Sequence, residues 1–230
     1  MELRAVPHGF AASLERGGNM FKRASLWAAA AGLVLALEAS AGAAVITVPD
    51  ASFEIPVLSP GGYKDIADPT YTGPWKCDSG DAWVDYGYWR AEGYPEDLYA
   101  HSGNNKAYAN SDYIYQILSE TFVQGMKYTL SVWVGQPWEG YASGWSLYFT
   151  GEDYKTNLIQ TSGTAGLTWG QVSLQYTATA ADAGKKIGIK MYGDEEVSFD
   201  DVTLDAVPEP ATLALLGLGG LSVLLGRKRR

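Results

Sequence analysis

Tyr128-Thr129-Leu130-Ser131-Val132-Trp133-Val134 is the stretch that decides the fold. Successive side chains of an extended chain point to opposite faces, so Tyr128, Leu130, Val132 and Val134 share one face while Thr129, Ser131 and Trp133 share the other. A helix would scatter these residues around its axis, whereas a half-buried antiparallel strand sorts them into an apolar and a polar side. The same period of two returns where Val172, Leu174 and Tyr176 alternate with Ser173, Gln175 and Thr177, and where Ile187, Ile189 and Met191 alternate with Gly188 and Lys190. No window keeps apolar residues at helical spacing for three turns. Further strands are predicted over 51–57, 75–77, 106–109, 113–118, 145–150, 157–161 and 199–204, with turn signals such as Pro60-Gly61-Gly62, Ser79-Gly80-Asp81 and Gly193-Asp194 between them. The predicted fold class is all-β, a two-sheet antiparallel sandwich.

Outward from this body both flanks change character. Met20-Phe21-Lys22-Arg23 opens a basic segment, an Ala- and Leu-rich run follows over 26–37, and Ala39-Ser40-Ala41 and Ala41-Gly42-Ala43 offer overlapping small-x-small cleavage sites. That order predicts a secretory signal peptide over 20–44, with 1–19 a mis-assigned upstream extension ahead of the true start at Met20. At the other end, Pro208-Glu209-Pro210 refuses helix, 211–226 is an uncharged apolar run of 16 residues, and Arg227, Lys228, Arg229 and Arg230 form a basic stop. The run is short of the roughly 20 residues a stable transmembrane helix prefers, and Gly217, Gly219 and Gly220 weaken it further. It predicts a temporary membrane tether, with the body outside the cytoplasm.

The body, 45–206, has 162 residues, enough for one domain with a sizeable core. It carries 9 Lys and Arg against 22 Asp and Glu, a net charge of −13, which excludes nucleic acid as a partner because phosphate binding needs cationic patches. Cys77 is the only cysteine, so the fold rests on its core or on bound ions rather than on an internal disulfide. Its simplest role is a half-buried small apolar side chain. His101 is the only histidine of the body and lies in the polar run His101-Ser102-Gly103-Asn104-Asn105, a poor setting for a Ser-His-Asp centre.

The tail pattern of Pro-Glu-Pro, apolar helix and basic end resembles the PEP-CTERM sorting signal over 207–230. The resemblance implies that the partner is an exosortase, which processes the chain after it has been held in the inner membrane. A plain C-terminal anchor would explain the apolar run and the cations but not Pro208, Glu209 and Pro210. Within the body, Pro49-Asp50-Ala51-Ser52-Phe53-Glu54, Thr168-Trp169-Gly170-Gln171-Val172 and Ser198-Phe199-Asp200-Asp201-Val202-Thr203-Leu204 occur in an order similar to the galactose-binding-like jelly rolls that serve as carbohydrate-binding modules. A jelly roll with its first and last strands adjacent is implied. That neighbourhood would bring Asp50 and Glu54 toward Asp200 and Asp201, hard oxygen ligands suited to a structural calcium. A solvated acidic strand end explains the same residues.

Between Gly80 and Gly103 the alternation gives way to an insert dense in rings and carboxylates, with no counterpart in the resembled family. Trp83, Tyr86, Tyr88 and Trp89 there, with Trp138 and Tyr141 in a second loop, are the candidates for stacking on polysaccharide, such as a biofilm exopolysaccharide. The same rings suit a structural or adhesive surface protein that binds no sugar. Glycoside hydrolysis needs two placed carboxylates, and no predicted strand carries alternating Glu-x-Asp. The expectation from sequence is therefore an exported, non-enzymatic binding domain.

Overall fold

The alternation read from the sequence is carried through the structure, a computed structural model that describes residues 43–86, 98–137 and 143–209. Among the described residues there is no helix, and the strands are β1 (Ala44–Ile46), β2 (Tyr63–Asp65), β3 (Lys76–Cys77), β4 (Ala82–Tyr86), β5 (Asn105–Ala109), β6 (Asp112–Thr121), β7 (Met126–Gly135), β8 (Gly144–Thr150), β9 (Asn157–Thr164), β10 (Gly170–Thr177), β11 (Lys186–Gly193) and β12 (Val197–Pro208). They pair antiparallel into two sheets. Sheet A has the order β10-β7-β12-β5-β4-β2, with β1 also on β12, and sheet B the order β3-β6-β11-β8-β9. The all-β two-sheet fold is as the sequence indicates.

The apolar parity of each strand faces the space between the sheets. Leu130, Val132, Phe199 and Leu204 of sheet A meet Ile114, Leu147, Phe149 and Ile189 of sheet B, all of them buried. Each such side chain contributes roughly 1.5–3 kcal/mol when removed from water, which is how a chain without a disulfide is held together. Trp75 is fully buried, stacked on Phe53 at 4.9 Å between ring centroids, and its Nε1 donates to the Asp50 carbonyl at 2.8 Å. Cys77 is half-buried at the end of β3, and burial pushes its thiol up to about 11.

Two strand expectations need correction. Residues 51–57 form the end of a turn and an irregular segment rather than a strand: Asp50 and Phe53 have φ of 50° and 57°, and the amide of Phe53 donates back to the Asp50 carbonyl at 3.1 Å, which closes the chain on itself. Conversely, the segment read as a loop-like insert opens with β4, where Ala82 and Val84 are fully buried. The dense rings around Trp83 hide a short alternation that the pairing of β4 with β5 makes real.

The last strand carries the irregularity that builds the site. Asp200 stands opposite Trp133 and Thr203 opposite Ser131, so β12 spends three residues where β7 spends two. This β-bulge, with Asp201 at φ 46°, lets Phe199 point inward and still leaves Val202 and Leu204 pointing inward beyond it. A bulge is what strict alternation through 199–204 required if Phe199 and Val202 were both to be core.

Candidate active site

Asp200 lies on the outer face of sheet A, beside Trp133, and yet has no exposed surface. The cover is the segment before β5, folded back over β12 and β7. The amides of His101 and Ser102 donate to Asp200 Oδ2 at 2.8 and 3.1 Å, and the amide of Asp201 donates to Oδ1 at 2.7 Å. Three such donors favour the carboxylate, but burial outweighs them and pushes the Asp200 carboxyl up to about 7.

The same segment is pinned on both sides. Glu54 Oε1 accepts the amides of Asn104 and Asn105 at 2.8 and 3.0 Å, and Lys106 Nζ donates to the Leu98 carbonyl at 2.7 Å. Gly103 allows the close approach: it has φ of 62°, and a Cβ there would stand 2.2 Å from Glu54 Oε1.

Above Asp200 the bulge aims Asp201 at the segment. Asp201 Oδ2 is 2.6 Å from His101 Nδ1, and Ser102 Oγ donates to Asp201 Oδ1 at 2.6 Å. The imidazole lies flat on Trp133, with ring centroids 3.8 Å apart and planes 19° from parallel, and Trp169 meets it edge-on at 5.9 Å. Trp169 is itself held by its Nε1, which donates to the Tyr99 carbonyl at 2.8 Å. A carboxylate only accepts, so Nδ1 carries the hydrogen and Nε2 is left to take or give a proton. Proton transfer to a bound molecule lying against the imidazole and the Trp169 ring is the chemistry this arrangement can perform. Ser102 is bonded to Asp201 rather than to His101, so the three residues do not form a nucleophilic triad.

The other residues singled out in the sequence are spread more widely. Asp50 accepts the Ile55 amide at 3.2 Å through Oδ1, and burial pushes its carboxyl up to about 6. Glu54, Asp200 and Asp201 all hold the segment over 101–105. Among the described residues no three His, Cys, Asp or Glu side chains stand close enough to hold a metal ion. Trp83 sits in β4 against Tyr108 at 5.4 Å, on the outer face of sheet A. Tyr86 ends β4, but its side chain, together with Tyr88, Trp89, Trp138 and Tyr141, lies outside the described residues. Pro208 closes β12 and Glu209 Oε1 accepts the Thr177 hydroxyl at 2.9 Å. Pro210, Arg227, Lys228, Arg229, Arg230, the apolar run of the tail and the residues before 43 lie outside the described residues as well. Sequence reasoning passed over His101 and assigned Trp133 and Trp169 to strands. One signal was available for Trp133: a large indole on the polar parity of β7, between Ser131 and Gly135.

Fold and site together define a β-sandwich that carries an acid–base pair on an aromatic floor, on the outside of one sheet. The chain belongs to the HpiC1-like family, described as HpiC1 cyclase, whose model matches residues 44–205. A second model, the PEP-CTERM protein-sorting motif, matches residues 206–230 and marks the chain for export and exosortase sorting. Among solved structures, a cyclase from Fischerella sp. TAU is 21% identical over 73% of this chain and 98% of its own, with a TM-score of 0.59. A Stig cyclase, FisC, from the same organism in complex with (3Z)-3-(1-methyl-2-pyrrolidinylidene)-3H-indole is 21% identical over 73% of this chain and 99% of its own, with a TM-score of 0.57. The jelly rolls of carbohydrate-binding modules are more distant neighbours, a CBM4 structure being 19% identical over 70% of this chain and 99% of its own, with a TM-score of 0.43. No curated protein matches the chain.

The expectation of a non-enzymatic domain is overturned by the family, which is one of cyclases. The sequence signs of catalysis considered above are paired carboxylates along a strand and a nucleophile with a base. A cyclisation driven by proton transfer requires neither, and its groups can come from residues far apart in the chain.

Proposed function

We propose that this exported protein catalyses a proton-transfer cyclisation or isomerisation of a small, largely apolar aromatic compound on the outer face of sheet A. The observation that carries the reading is His101, fixed between the Asp201 carboxylate and the Trp133 ring with Nε2 unengaged by either. When Nε2 takes a proton from the bound compound, the cation that forms is stabilised by the carboxylate at Nδ1 and by the π-face of Trp133. Trp169 supplies an edge against which a flat aromatic ring packs. Asp200 positions the segment that carries His101 through two backbone amides. FisC is solved with an indole-bearing ligand, a flat aromatic compound of the kind the Trp169 edge can pack against.

The test is turnover of 3-substituted indoles followed by mass spectrometry and NMR of the product. His101→Asn and Asp201→Asn each lower the rate by about 10²–10⁴-fold at unchanged melting temperature, as expected for loss of acid–base catalysis. Full activity in His101→Asn refutes the assignment.

Two finer readings accompany this one. Tethering by the tail and removal at Pro208-Glu209-Pro210 follow from the sorting motif. Structural calcium between Asp50, Glu54, Asp200 and Asp201 would require these carboxylates to draw together, since among the described residues no three of them stand close enough to hold a metal ion.

A further inference from the structure

The sorting motif and the folded domain share residues. The motif spans 206–230, yet β12 runs on through Pro208, so the first residues of the motif are the last residues of a strand. Ala206, Val207 and Pro208 pair with Tyr128, Lys127 and Met126 at the head of β7, and β1 pairs with β12 only as far as Ala206. Pro208 has no N–H to give, but the Glu209 amide takes up the pairing again and donates to the Gly125 carbonyl at 3.1 Å. Thr177, the last residue of β10, donates its hydroxyl to Glu209 Oε1 at 2.9 Å. Because β10 and β12 flank β7, this bond ties the two neighbours of β7 together at its head.

The groups that hold Glu209 are themselves fixed. Gly125, at φ 75°, donates its amide to the Ala178 carbonyl at 2.9 Å, and the Ala178 amide donates to the Met126 carbonyl at 3.0 Å. Pro208 and Glu209 are half-buried against this corner. Beyond them the sequence leaves no slack, since Pro210 alone stands between Glu209 and the apolar run over 211–226. An enzyme that cuts a chain engages it as an unpaired stretch on both sides of the bond, and a stretch held in a sheet reaches that state only by local opening. The opening needed here is small. Val207, Pro208 and Glu209 lie past the last residue paired with β1, so they can leave β7 while β12 stays paired with β1 up to Ala206.

We propose that the end of β12 is a clamp that withholds the sorting motif from the exosortase, with Thr177 and the Gly125 carbonyl as the groups that hold Glu209, so that processing waits on the release of Val207, Pro208 and Glu209 from β7. This rests on the reading that the tail is removed at Pro208-Glu209-Pro210 and adds what regulates that step. Opening and closing of a three-residue strand end is fast beside an enzymatic cut. The rate of processing therefore follows the fraction of chains that are open, and each contact removed from the clamp raises it.

The experiment is pulse-chase labelling of the full-length chain in the producing cells, with conversion to the form that lacks residues 211–230 followed by mass. Thr177→Val removes the hydroxyl at nearly constant shape. A second variant inserts Gly-Ser-Gly-Ser-Gly-Ser between Val207 and Pro208, which keeps the motif whole, frees it from β7 and changes no residue of the domain, so it remains informative where Thr177→Val loosens the sheet. Conversion is expected to quicken about two- to tenfold in Thr177→Val, the worth of one half-exposed hydrogen bond, and at least as much in the insertion variant. Combining the two is expected to add nothing to the insertion alone, because the bond is already gone. Equal or slower conversion in both variants overturns the clamp and leaves the sorting reading standing. So does an effect of Thr177→Val that recurs in full on top of the insertion. Retention of residues 211–230 in the parent and in every variant overturns the sorting reading itself, and the clamp with it.

Discussion

Replacing Asp200 by Asn should change the stability of the protein in opposite directions at low and high pH. The folded carboxyl is pushed up to about 7 from its ordinary 3.8, chiefly by burial. A raised carboxyl is fully tolerated below 3.8, where it is neutral in both folded and unfolded chains. As pH rises toward 7 the unfolded chain releases the proton and the folded chain does not, so stability falls by about 4 kcal/mol over that window and then levels off. Asn carries no such cost. It does lose contacts: with its oxygen placed to accept the amides of His101 and Ser102, its NH₂ faces the Asp201 amide, which costs roughly 1–3 kcal/mol. At pH 4.5, where the parent has already lost about 1 kcal/mol, the variant is therefore less stable by up to about 2 kcal/mol, and at pH 8.5 it is more stable than the parent by about 1–3 kcal/mol. Urea denaturation of both proteins from pH 4.5 to 9 measures this. Taking the difference between the two profiles cancels the other groups that titrate alike in both, Asp50 among them. A difference independent of pH, or one that turns more unfavourable to the variant as pH rises, refutes the reasoning, because it would mean that the three amides outweigh burial.

Asp112, almost fully buried, accepts the amides of Asp78, Ser79, Gly80 and Asp81 at 3.0 to 3.2 Å, so Asp112→Ala should cost roughly 2–4 kcal/mol, and a melting temperature equal to the parent's contradicts this. The intact mass of protein recovered from the producing cells should lack the residues beyond the Pro208-Glu209-Pro210 motif; retention of residues 211–230 contradicts processing and leaves a plain anchor. If calcium occupies Asp50, Glu54, Asp200 and Asp201, chelation lowers the melting temperature and Ca²⁺ restores it better than Mg²⁺ does; an unchanged curve in excess chelator rejects the ion.

What the sequence by itself determined is what depends on neighbours along the chain. Period-two alternation at 128–134, 172–177 and 187–191 was enough to establish strands, their buried faces and an all-β sandwich, because side-chain direction on an extended backbone is a local property. The export tail was legible for the same reason, as three unlike segments in a fixed order. Only the tertiary structure decided the site. His101 meets Asp201 across 100 residues and Trp133 across 32, and those meetings depend on a bulge in β12, the register of β12 on β7 and a segment folded back over both. Alternation is blind to each of these: it raised the bulge at Phe199 as a condition but could not say that Asp201 would turn toward His101. It also took Trp133 for an ordinary strand residue, since a lone indole on a polar parity has meaning only once something is seen to lie on it.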